Sequence, residues 1–100
     1  MKIAIASVGD SIESLVSDEG GRAPFYLIFE DGKLVEAWEN VMAKGGGGAG
    51  YGVVSALADM GVEKIVVGKV GGNMREAMDE REVEYLEKSG MKVQEMIDEL

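Results

Sequence analysis

Hydrophobic and polar positions along this chain switch between the period of a strand and the period of a helix. Residues 2–7, KIAIAS, carry Ile3, Ala4, Ile5 and Ala6 in an almost unbroken apolar run. That is the pattern of a short strand covered on both faces, as in the middle of a sheet. From Val8 to Gly21 the chain is polar, with Ile12, Leu15 and Val16 as its apolar anchors. This is longer than an ordinary connection, which marks it as functional or mobile, with room for a helical turn. The stretch APFYLIFEDGKLVEAWEN then supplies two β-rich runs joined by Asp31-Gly32. Asp-Gly provides the two positive φ angles of a two-residue type I′ hairpin turn. Pro24 stands at the start of the first run, where a missing ladder donor does least harm. In the second run Leu34, Glu36 and Trp38 alternate with Val35 and Ala37, predicting a half-exposed strand.

Helical spacing takes over after residue 50. Val53, Val54, Leu57, Ala58 and Met60 fall on one face, and Gly61 stands where a left-handed C-terminal cap is expected. A buried strand, KIVVG, follows. Asn73 with Glu76 three residues later reads as an N-cap with a capping-box variant, opening a helix whose Met74, Ala77 and Met78 share a face. EVEYL is the last strand. Val93, Met96, Ile97 and Leu100 then define a final amphipathic helix.

The predicted order is β-β-β-α-β-α-β-α. Right-handed crossovers put the fourth strand beside and parallel to the first, with the hairpin on the first strand's other side. The expectation is an α/β, ribonuclease H-like three-layer fold. Its five-stranded mixed sheet has order 3-2-1-4-5, with strand 2 antiparallel and about three helices. Nothing divides residues 1–100, so they read as a single domain.

In that layout strands 1, 3, 4 and 5 run the same way, so the segments that follow strands 1, 3 and 4 emerge at one edge. All three carry glycine. Six of the nine residues from Lys44 to Gly52 are glycine, a heavy entropic cost that calls for a compensating use. Two of the loops lead into helix N-termini, where unpaired amides and the helix dipole favour an anion. Open α/β sheets bind ligands at this carboxyl edge. Arg22, Lys44, Lys69 and Arg75 lie in or beside these loops. The candidate site residues are therefore Arg22, Lys44, Gly45, Gly46, Gly47, Gly48, Gly50, Lys69, Gly71, Gly72 and Asn73. The bland alternative has the lysines solvated and Arg75 paired with Glu76 or Asp79.

Composition narrows the chemistry. The chain has no cysteine and no histidine, which removes disulfides, thiolate ligands, imidazole ligands and the usual neutral-pH acid/base. A net charge of −9 disfavours long-range attraction to nucleic acid or an anionic membrane. The start, MKIAIAS, enters a strand directly and has no signal-peptide layout, so a cytoplasmic location is expected. Gly45, Gly47 and Gly50 satisfy G-x-G-x-x-G, but the run follows a hairpin strand and no acidic residue ends the next strand. A Walker A loop is excluded because Tyr51-Gly52 follows Gly50. The first strand has no carboxylate for a nuclease metal, Ser7 and Ser11 lack a histidine partner, and Asp10, Glu13, Asp18 and Glu19 match no metal-loop spacing. Met42 and Met74 are expected to fill core gaps. No enzyme is expected.

MKIAIAS at the start, VSDEGGRAPFYLIFE at Val16 to Glu30, GGGGAG before the first helix and VEKIVVGKVGGNMREAM at Val62 to Met78 resemble the dinitrogenase iron-molybdenum cofactor biosynthesis family. The resemblance spans nearly the whole chain. It implies a ribonuclease H-like fold and non-catalytic binding or transfer of an anionic iron–sulfur or iron–molybdenum cluster, with cluster-assembly proteins as partners. The family pattern Ser-Glu-His-Phe-Gly-Arg corresponds here to Ser17-Asp18-Glu19-Gly20-Gly21-Arg22, so Glu19 replaces the histidine and Gly20 the aromatic. Direct iron ligation is thereby left to poor ligands. Two readings stand: a cluster carrier or accessory protein, and a small-anion-binding or protein-interaction domain on a scaffold without metal ligation.

Overall fold

The computed structural model describes residues 1–44 and 49–100. Its centre is β1, Lys2–Ser7, whose last four residues are buried, as the apolar run requires. β2, Phe25–Glu30, pairs antiparallel with β1 through Ile5↔Leu27 and Ala4↔Ile28. β3, Lys33–Glu39, closes the hairpin on β2. Asp31 and Gly32 between them have φ of 51° and 83°, the two left-handed positions the Asp-Gly pair was expected to fill. A 3-10 turn at Val41–Lys44 and helix α1, Ala49–Asp59, come next. β4, Lys64–Val67, lies parallel to β1, and α2, Gly72–Arg81, carries the chain to β5, Glu84–Glu87, parallel to β4. Helix α3, Val93–Glu99, ends the order, and the sheet runs β3-β2-β1-β4-β5 as expected.

Side chains leave the strands alternately to two faces, and each face has its own core. Ala4, Ala6, Tyr26, Ile28, Ile65 and Val67 pack under Val53, Val54 and Leu57 of α1 and Met74, Ala77 and Met78 of α2. Ile5, Leu27, Phe29 and Val66 pack on the other face against Val16, Val93 and Met96. This is the three-layer arrangement. Full burial of Leu57 and the two valines of α1 contributes about 1.5–3 kcal/mol each relative to exposure.

Two local expectations, for β3 and Leu100, are corrected, and the Val8–Gly21 segment carries the turn it had room for. The Val8–Gly21 segment contains a hydrogen-bonded turn, Ser14 N to Ser11 O at 2.9 Å, and no helix. It is instead tied into the fold by backbone bonds: Ser17 N donates to Ala6 O at 2.8 Å, and Gly68 N donates to Ser17 O at 2.9 Å. Ser17 thus stitches the ends of β1 and β4 together. β3 is more exposed than its alternation predicts, with Trp38 as its one partly buried residue. It is an edge strand, and its register on β2 shifts between Ile28 and Phe29, which leaves Val35 without a partner. Leu100 is 45% exposed, because α3 stops at Glu99 and its last apolar position passes the core.

Candidate functional site

The carboxyl edge of the sheet is built by close approach of backbone to backbone, which the glycines allow. A Cβ placed on Gly68, just after β4, would lie 2.6 Å from Asp18 Cα. One on Gly20 would lie 2.4 Å from Met74 Sδ, one on Gly21 3.2 Å from Gly50 N, and one on Gly50 2.9 Å from Met74 N. A side chain at Gly68 or Gly50 would push backbone segments apart, one at Gly21 would be tight against Gly50, and one at Gly20 would displace the Met74 thioether. The segment after β1, the start of α1 and the start of α2 therefore meet in space. The buried Tyr26 hydroxyl holds this junction from below by donating to Gly20 O. Burial pushes its phenol pKa up, so the hydroxyl stays a donor through ordinary pH.

A pocket of about 240 Å³ opens on this junction, lined by Glu19, Gly20, Gly21, Arg22, Lys69 and Gly71. The volume is below the range of drug-sized sites and suits a compact group. Two basic residues, Arg22 and Lys69, and one acidic residue, Glu19, contribute to its wall, within a chain of net charge −9. Gly71 is the N-cap of α2, extended at φ −76° and ψ 167°, and no side chain caps the helix. The amides of Gly72, Asn73 and Met74 are first-turn donors without intrahelical partners. The helix begins before Asn73, so the expected Asn73 cap is corrected: Asn73 sits inside the first turn and is exposed.

The sequence-predicted residues separate on the structure. Arg22, Lys69 and Gly71 share the pocket; Gly50 forms the adjoining contact with Gly21; Gly72 and Asn73 follow in the first turn of α2. Lys44 lines a different pocket of about 450 Å³, with Pro24, Phe25, Glu39, Asn40 and Val41. Arg22 connects the two regions by donating from Nη1 to Ala43 O at 3.3 Å. Gly45, Gly46, Gly47 and Gly48 lie outside the described residues. Arg75 points away, its guanidinium carbon 6.0 Å from the centre of the Tyr85 ring. Sequence reasoning missed Gly20 and Gly21 as pocket walls, although the pair's place just before Arg22 was a usable signal. It also assigned no role to Tyr26 or Asn40, which reach the site only through the fold.

Among the described residues no group of three or more aspartates and glutamates is placed to hold a metal ion. Every buried side-chain polar atom among them has a hydrogen-bond partner. The arrangement offers cationic side chains and backbone amides, the chemistry of anion recognition.

This geometry defines an α/β domain with a small anion-compatible pocket at the carboxyl edge of its sheet. The chain belongs to the dinitrogenase iron-molybdenum cofactor family, whose pattern matches residues 1–100. Among solved structures it is similar to a putative NifB protein from Thermotoga. The two share 36% identity over 97% of this chain and 84% of that one, at a TM-score of 0.83. It also shares its fold with the apo form of the orange protein from Desulfovibrio gigas, at a TM-score of 0.89. Identity there is 22%, over 97% of this chain and 83% of the other. No curated protein gives a significant match. No helix among the described residues is long and apolar enough to cross a membrane.

Proposed function

We propose that this protein is a non-catalytic carrier or accessory protein that holds an anionic iron–sulfur or iron–molybdenum cluster as cargo at the Arg22–Lys69–Gly71 pocket. The observation that carries the reading is that pocket: two cations beside an uncapped helix N-terminus, on an otherwise acidic domain of this family. The donor set bears on how the cargo is held. With no cysteine or histidine the protein is poorly suited to supply an iron ligand, so recognition rests on charge and hydrogen bonds to the cluster's periphery. A complete, preassembled cluster fits such a site better than bare iron and sulfide. Weak, outer contacts also suit a protein that must release what it binds. Cluster-assembly proteins are the corresponding donors and acceptors.

Anaerobic titration of the purified protein with isolated iron-molybdenum cofactor or a preassembled iron–sulfur cluster, followed by visible absorption, tests this. Saturable binding is expected, weakened in Arg22→Ala and Lys69→Ala. No binding at micromolar protein removes the carrier reading.

A second reading, a binding domain for small inorganic anions, draws on the loss of metal ligation: Glu19 stands where the family pattern has histidine, and the chain has no cysteine. A thermal-shift series with phosphate, molybdate and tungstate separates it from the first. A shift with these oxyanions in a protein that ignores the clusters favours this reading.

A further inference from the structure

Asn40 follows β3, is 3% exposed, and is one of three buried polar side chains among the described residues. Its Nδ2 donates to Gly21 O at 3.1 Å and to Ala23 O at 2.9 Å. These two carbonyls stand on either side of Arg22. Its Oδ1 accepts from Met42 N at 3.1 Å, its backbone N donates to Pro24 O at 2.9 Å, and its carbonyl accepts from Ala43 N at 3.1 Å. Arg22 in turn donates to Ala43 O. One buried amide therefore ties the backbone that carries Arg22 to the 3-10 turn that receives the Arg22 side chain.

We infer that Asn40 is a positioning residue of the pocket: it preorganises the Gly21–Ala23 segment, and with it the Arg22 guanidinium, for ligand. This rests on the cargo-binding reading above. The chemistry selects asparagine. Two carbonyl acceptors and one amide donor must be met at once from one short side chain, and a side-chain amide offers both donors and an acceptor. Aspartate has the same shape but sets an oxygen against two carbonyl oxygens. Serine is too short to reach both sides. A segment left to move must be ordered when ligand binds, and that cost comes directly out of affinity.

The test compares wild type, Asn40→Asp and, should that variant not fold, Asn40→Ser, with Val93→Ala as a control. Val93 is fully buried on the other sheet face, so its truncation lowers stability without touching the pocket. Backbone ¹⁵N relaxation at residues 21–23 and the affinity for isolated iron-molybdenum cofactor are measured well below each melting temperature. The expected result is raised fast mobility at residues 21–23 in the Asn40 variants together with an affinity loss of about tenfold or more. Val93→Ala should show a lowered melting temperature and unchanged affinity. Unchanged mobility at 21–23 overturns the inference. So does an affinity loss in the Asn40 variants that Val93→Ala reproduces. Absence of binding by wild type sinks the carrier reading instead, while the relaxation data still decide whether Asn40 holds the segment.

Discussion

Gly71→Ser is expected to make the protein more stable and a poorer binder at the same time. Gly71 has an extended backbone that any residue can adopt, and a Cβ built there meets nothing within 4 Å. Replacing such a glycine stabilises by about 0.4–1 kcal/mol through the unfolded chain. A serine hydroxyl at this N-cap can also accept from a first-turn amide, but glycine is itself a favoured N-cap residue and the whole gain of serine over glycine there is a few tenths of a kcal/mol. The net gain is a few tenths of a kcal/mol, a rise in melting temperature of about 1–3 °C for a domain of this size. The same hydroxyl takes a donor that an anion would use, and the side chain projects from a residue that lines the pocket. Affinity should fall by about tenfold, equivalent to about 1.4 kcal/mol. Differential scanning fluorimetry and the anaerobic titration read the two effects on the same samples. A stabilised variant that binds as tightly as wild type refutes the placement of ligand at the start of α2. A lowered melting temperature refutes the geometry assigned to Gly71.

Gly50→Ala should cost about 1–3 kcal/mol by overpacking, because its Cβ would stand 2.9 Å from Met74 N; chemical denaturation measures it. Tyr26→Phe removes the shorter of the two hydrogen bonds to Gly20 O, leaving that from Ala23 N at 3.4 Å, and should lower stability by about 0.5–1.5 kcal/mol, read the same way. Lys92 has its pKa raised above 10.5 by its hydrogen bond and charge interaction with Glu13. A raised value means that the contribution is complete below 10.5 and is lost as pH rises through the folded value. Urea midpoints of wild type and Glu13→Gln should therefore differ slightly at neutral pH and converge at strongly alkaline pH. A constant difference would contradict the assignment.

Elements and their order were legible because they depend on local chemistry. Asp31-Gly32 sets two positive φ angles by itself, and the spacing of Val53, Val54 and Leu57 defines a buried helix face before its partner is known. The sheet order followed from crossover handedness. Exposure at the margins was less legible: β3 alternates like a strand with one covered face, yet as the edge strand it leaves all but Trp38 exposed. The Asn73–Glu76 spacing was compatible with a cap, but the helix starts at Gly72 with Gly71 as its N-cap.

By itself, then, the sequence determined the strands, helices and turn, the sheet order, and the absence of thiolate and imidazole chemistry. The elements and the missing chemistry are set by residue type or by contacts close along the chain, and the sheet order by the handedness of the crossover connections. Which residues share the pocket was decided by the tertiary structure. Arg22 and Lys69 converge across the β2–β3 hairpin and the α1 crossover, whereas Lys44, also at the carboxyl edge, lines a different pocket. Tyr26 and Asn40 acquire their roles only where distant backbone carbonyls arrive within hydrogen-bonding reach. Angstrom-scale juxtaposition depends on how whole layers pack, and no local pattern encodes it.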